Sequence, residues 1–291
     1  MNSIIEPINV VIPTYNDSDS LTRCLDAIAV QSIPKDFLYV WVVNNRPSVP
    51  LILKEYLFNL KVINEERIGS YAARNAAIKS INSGIIIFTD SDCVPDVNWI
   101  STIIEKSSQK HGILVGKIKI YLEKHGKTLA YDYERIFSFN QRLNASRKRT
   151  VTANMACDKS VFDKVGLFNE KLLSGGDFEW SSRASKAGID FYFCPSAIIS
   201  HPARKDISSL FRKTRRIARS GLAFSQSREK KNNLYLFNFF KLPIRKLWAV
   251  IFSDVSIITK CKLILLVILI HEYDVYQRLL YTLRIASSVR E

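Results

Sequence analysis

The chain has 291 residues, 47% of them hydrophobic and 24% charged, which suffices to bury a full core and excludes a disordered or low-complexity chain. Its formal net charge of +15 is uneven: from Arg204 onward 18 Lys and Arg face 6 Asp and Glu. Five scattered cysteines with no Cys-x-x-Cys argue against a disulfide framework or a zinc site and fit a reducing cytosol.

The opening MNSIIEPINVVIPTYND lacks the basic flank and apolar core of a signal peptide, so no export is expected and a cytoplasmic location follows. INVVIP (8–13) reads as a strand and DSLTRCLDAIAVQ (19–31) as an amphipathic helix. FLYVWVVNN (37–45) is a second strand, and SVPLILKEYLFN (48–59) is expected to be helical. LKVINE (60–65), GSYAARNAAIKSIN (69–82) and GIIIFTD (84–90) continue as strand, helix and strand. Near-continuous Val/Ile runs between helices predict a mainly parallel α/β sheet covered on both faces. A strand over 111–123, a helix near 128–145 and a helix in GDFEWSSRASKAG follow.

Ligands of such sheets bind beyond the carboxyl ends of the strands. Three polar clusters lie there: Thr14-Tyr15-Asn16, Asn44-Asn45 and Asp90-Ser91-Asp92. Two carboxylates one residue apart repel each other, so Asp90 and Asp92 mark either a solvated turn or a place for a cation or a diphosphate. Their position at a strand end favours the second reading. Asp177 and Glu179 fall in the first turn of their helix, where the dipole favours carboxylates, so capping alone could account for them.

The composition shift near Arg204 divides the chain into 1–204 and a basic, apolar helical region, 205–291. The longest apolar run there, Leu263 to Ile270, is eight residues, whereas a spanning helix needs about 20. Helices that pack together or lie on a membrane are therefore expected. The basic excess fits nucleic acid or an anionic membrane surface, but no nucleic-acid motif accompanies it. A nucleic-acid-binding Rossmann-like protein would leave Asp90, Asp92 and Asp177 unexplained. A ligand-binding domain without turnover would have no use for Asp92 and Asp177 together.

Taken in order, VVIPTYND, VVNN, ERIGSYAARNAAI, FTDSDCVPDVNW, TANMACDKSVFDKVGLFNE, SGGDFEWSSRASKAG and SHPARKDISSLFRKTRRIARSG resemble the family 2 nucleotide-sugar glycosyltransferases over residues 8 to 220. The resemblance implies a GT-A fold and an inverting transfer of a sugar, from a nucleotide-sugar donor to a hydroxyl of a glycan or lipid-linked acceptor, in cell-surface polysaccharide synthesis. It assigns Asp92 to a Mg²⁺ or Mn²⁺ ion on the diphosphate, with Asp90 toward the ribose and sugar and His201 as a further metal or phosphate contact. Arg74 would reach the diphosphate, and Thr14, Tyr15 and Asn16 the base and ribose. Asn44 stands where many members carry an Asp that accepts from uracil; an amide also admits thymine or cytosine. Asp177 would be the general base, in a motif where the common Glu-Asp has become Gly176-Asp177. The basic tail would place the enzyme on the inner face of the cell membrane.

Overall fold

The computed structural model describes residues 6–122, 126, 128–226 and 242–282. In chain order the elements begin with β1 (Ile8–Thr14), α1 (Ser18–Ala29), β2 (Leu38–Asn44) and β3 (Asn59–Asn64). They continue with α2 (Ser70–Ser80), β4 (Ile85–Thr89), β5 (Val94–Pro95), α3 (Trp99–Gln109) and β6 (Ile113–Tyr121). Next come α4 (Leu129–Phe137), α5 (Gln141–Ser146), β7 (Asn154–Asp158), α6 (Lys159–Val165), α7 (Gly176–Lys186) and β8 (Phe191–Pro202). The described chain closes with α8 (Ile207–Gln226), α9 (Ile244–Ile251) and α10 (Ile257–Thr282).

The strands form one sheet in the order β3-β2-β1-β4-β7-β6-β8-β5. Strands β3, β2, β1 and β4 are parallel, as the Val/Ile runs predict, and β1 is buried along its whole length. Beyond β4 the sheet changes sense: β7 runs antiparallel to β4 and to β6, and β5 antiparallel to β8. Two apolar layers cover its faces. One gathers Leu21, Leu25 and Ile28 of α1 with Trp99 and Ile100 of α3. The other gathers Ala73, Ala77 and Ile78 of α2 with Phe162, Phe168 and Trp180.

Two expected helices differ. Residues 51–56 form no helix: Leu51 and Leu53 pack on the core while Ile52 between them is exposed, a period of two that belongs to extended chain. Asp26 of α1 pins this segment by accepting from Tyr56 Oη at 3.0 Å and pairing with Lys54 at 2.7 Å. The helix expected near 128–145 is split into α4 and α5, because Phe139 between them adopts a positive φ of 56° that no helix continues.

The chain groups into two compact units: residues up to Lys119 with Phe139–His201, and Ile120–Ser138 with the residues from Pro202 onward. The second unit has its own core, built from Ala130 and Tyr133 of α4, Leu210 of α8, Val250 of α9, and Leu263, Leu266 and Ile270 of α10. No helix among the described residues is long and apolar enough to cross a membrane.

Candidate active site

The parallel register sets the strand ends side by side, with Thr14 of β1 across from Asn44 of β2. After β4, a turn closed by Cys93 N donating to Asp90 O at 3.1 Å leads directly into β5. There Val94 pairs with Ser200 of β8, and this register brings His201 to the same turn. Its Nε2 lies 3.7 Å from Asp92 Oδ2. Asp90, Asp92, Cys93 and His201 each offer a ligand atom, and these atoms all lie within 4.8 Å of one another.

Burial pushes the Asp92 carboxyl above its ordinary range; His201 counteracts this and Asp90 adds to it. Such a pair of carboxylates is relieved by a cation. Two carboxylates and an imidazole suit Mg²⁺ or Mn²⁺. The Cys93 thiol is pushed well up by burial and by the charges of Asp90 and Asp92, and a thiol is a poor ligand for such hard ions. With the thiol set aside, Asp90, Asp92 and His201 are the side chains of this cluster that could hold a divalent ion.

Asp90 is also ion-paired with Arg74 of α2, whose side chain is almost wholly buried. Three buried polar atoms here have no hydrogen-bond partner: Thr14 Oγ1, Arg74 Nε and Thr89 Oγ1. Buried polar groups are seldom left so, and three together mark a place for a polar ligand. Tyr15 is exposed just beyond Thr14, with the Arg46 guanidinium 5.8 Å from its ring centre. Asn16 holds a positive φ of 54°, a conformation asparagine tolerates.

Asn44 uses its amide locally. Its Nδ2 donates to Val49 O at 2.9 Å and its Oδ1 accepts from Arg46 N at 3.0 Å, so it shapes the loop after β2. Its neighbour Asn45, given no role from sequence, ties that strand end to the approach to α2 by accepting from Gly69 N and donating to Glu65 O and Arg67 O.

Asp177 lies in the first turn of α7. Its Oδ1 accepts from Phe178 N at 2.9 Å and from Tyr71 Oη at 3.2 Å. Burial raises its carboxyl pKa, with Arg74 opposing and Asp90 adding to the rise. Oδ2 accepts no hydrogen bond from the described residues, which leaves it able to take a proton. Tyr71 and Arg74 are one turn apart on α2, so a single helix holds Asp177 through one residue and Asp90 through the other. Tyr71 was not visible as a site residue in the sequence; its spacing of three from Arg74 was the available signal. It also explains Gly176: a Cβ there would lie 2.7 Å from Tyr71 Cε2, so the ring fills the space a glutamate would need.

A curled α/β sheet with an acidic cluster at its strand ends and a carboxylate on a facing helix defines a GT-A enzyme. The family model described as "Glycosyl transferase family 2" matches residues 9–166, and the chain belongs to that family. It is similar to glycosyltransferase AglE of Haloferax volcanii, 32% identical over 211 residues that cover 70% of this chain and 69% of the relative. A second relative is the dolichyl N-acetyl-alpha-D-glucosaminyl phosphate 3-beta-D-2,3-diacetamido-2,3-dideoxy-beta-D-glucuronosyltransferase of Methanococcus voltae. It is 22% identical over 225 residues, 71% of this chain and 70% of the relative. Among solved structures, the mannosyltransferase PcManGT of Pyrobaculum calidifontis, in complex with GDP-Man and Mn²⁺, aligns with a TM-score of 0.60 at 18% identity. That alignment covers 96% of this chain and 88% of the other, and it shows the shared fold.

Proposed function

We propose that this glycosyltransferase moves a sugar from a nucleotide-diphosphate donor, a UDP-sugar first, to a hydroxyl of a glycan or lipid-linked acceptor, with inversion at the anomeric carbon. The observation that carries this reading is the single helix α2, which holds Asp177 through Tyr71 and Asp90 through Arg74. A base and a donor-binding carboxylate are thereby kept in fixed relation, as a single displacement requires. Asp177 takes the acceptor proton at Oδ2, while Tyr71 and Phe178 N keep Oδ1 occupied and fix the carboxylate plane. Arg74 and the orphaned hydroxyls of Thr14 and Thr89 bind and orient the polar donor, and the exposed Tyr15 ring offers a stacking face for the base. A divalent ion held by Asp92 and His201 would supply charge compensation for the diphosphate leaving group. One displacement from the side opposite that group inverts the anomeric centre.

The second unit supports a membrane-proximal acceptor. On α9, Ile244, Trp248 and Ile251 share an exposed face, and Trp248 stacks on Phe252 with ring centres 5.4 Å apart. Ile257 and Ile258 are exposed at the start of α10, with basic Arg245 and Lys262 on the same two helices. Apolar side chains interspersed with cations suit an anionic membrane surface. The name of the Methanococcus voltae relative carries a dolichyl-linked phosphate, which agrees with an acceptor on lipid.

The test is binding and turnover of UDP-, GDP-, dTDP- and CDP-sugars with Mg²⁺, with Mn²⁺ and in excess chelator, for the native chain and Asp92→Ala. Metal-dependent binding of one donor class, lost in Asp92→Ala, is expected. Undiminished turnover in chelator or in the variant would remove the metal assignment.

A further inference from the structure

Phe139, just before α5, holds a φ of 56°, in the left-handed region that bulky side chains seldom enter. A residue other than glycine is costly there and persists only where its surroundings over-determine it. The anchor is Gln141. Its N donates to Phe139 O at 2.7 Å, and its buried Nε2 donates to Thr150 Oγ1 at 3.5 Å and to Asn154 O at 3.4 Å. Asn154 opens β7 and is itself held. Its Nδ2 donates to Lys117 O of β6 at 2.9 Å and to Ala197 O of β8 at 3.0 Å, and its Oδ1 accepts from Trp99 Nε1 at 2.9 Å. The Phe139 turn is thereby tied through β7 to β8, the strand that carries His201.

The strained backbone serves a specific contact. The Phe139 ring packs on the His201 imidazole with centres 4.8 Å apart and planes at 45°, while His201 Nε2 lies 3.7 Å from Asp92 Oδ2. Glycine or asparagine would take this φ at less cost, but neither offers a ring. We propose that Phe139 is a positioning residue: its ring fixes the His201 rotamer so that Nε2 faces the place of the divalent ion beside Asp92. A ligating imidazole must be oriented by groups outside the coordination shell, and a packed ring does so without occupying the nitrogen lone pair. The proposal rests on the reading of Asp92 and His201 as ion-holding residues, and adds the residue that orients one of them.

The experiment measures Mn²⁺ affinity of the full chain by electron paramagnetic resonance, with and without UDP, alongside unfolding midpoints. Phe139→Ala and Phe139→Gly should each weaken Mn²⁺ binding about tenfold, the loss expected when a ligand's outer support is removed. Phe139→Tyr keeps the ring and should retain the native affinity. Phe139→Ala combined with His201→Ala should bind no worse than His201→Ala alone, because the ring acts through the imidazole. The Gly variant should unfold at a higher temperature than the Ala variant, since glycine takes a positive φ freely, yet both should bind Mn²⁺ equally. Affinity that instead follows the unfolding midpoints would make Phe139 merely structural and overturn the proposal. Losses that add in the double variant would overturn it too. Native affinity in the Ala and Gly variants, with weakened binding in His201→Ala, would overturn the positioning role and leave His201 as a ligand. Undiminished affinity in His201→Ala, or no Mn²⁺ binding by the native chain with or without UDP, would remove the reading on which the proposal rests and the proposal with it.

Discussion

Replacing Asp177 with Asn separates the base from everything else the residue does. Both hydrogen bonds that the carboxylate accepts, from Tyr71 Oη at 3.2 Å and Phe178 N at 2.9 Å, converge on Oδ1. The amide oxygen of Asn can accept both, and its nitrogen then replaces Oδ2, the atom able to take a proton. Loss of a general base lowers the rate by about 10²- to 10⁴-fold, which adds roughly 3–5 kcal/mol to the barrier. Stability should not fall, because burial already raises the carboxyl pKa and a neutral amide escapes that cost. The assay is single-turnover transfer at saturating donor, with UDP affinity and the unfolding midpoint measured on the same preparation. The expected pattern is a transfer rate cut by two to four orders of magnitude with UDP affinity unchanged. Loss of donor affinity in the same proportion would make Asp177 a donor ligand. Transfer within a fewfold of native would remove it from the chemistry altogether.

The second unit has a pH signature of its own. Burial would raise the carboxyl pKa of Glu134, but Lys213 Nζ at 2.9 Å and Arg204 Nη1 at 3.1 Å outweigh it and hold it below the ordinary 4.5. A depressed carboxyl stabilises the fold above its unfolded pKa and ceases to do so as pH falls through the folded value. Glu134→Gln should therefore be less stable than native at pH 7, by about 3 kcal/mol for a broken buried pair, with the gap closing below pH 4.5. Parallel unfolding curves from pH 7 to pH 3 would refute the argument. Flotation with liposomes should recover the full chain only with anionic lipid and low salt, since each basic residue near such a surface contributes about 1 kcal/mol and is screened by salt. Trp248→Ser with Phe252→Ser should lower that recovery; a chain that stays in the soluble fraction under every condition would leave α9 and α10 as packing helices alone.

Much of the first unit was legible from residue order alone. Strands β1, β2 and β4 are largely buried on both faces, which long apolar, β-branched runs satisfy, so composition and periodicity sufficed to place them; the edge strand β3, with Lys61, Val62 and Asn64 exposed, followed from its own short apolar run. The polar clusters after Pro13, Val43 and Thr89 stood out because polar residues at the ends of such runs have few structural uses. Other features came from contacts between distant parts of the chain. Residues 51–56 have helix-like composition, yet Asp26 and the alternate burial of Leu51 and Leu53 draw them out as extended chain. Phe139 breaks a helix by a backbone angle that its side-chain type does not announce. The pairing of Val94 with Ser200 brings His201 to Asp92 across more than a hundred residues, a register set by sheet packing. Tyr71 acts through its distance to Asp177, and Gly176 is small because that ring occupies its space. Local sequence thus determined the strands, the acidic turn and the family, because burial and turn formation are properties of neighbouring residues. The tertiary structure alone decided which side chains meet, because meeting depends on how separate elements pack.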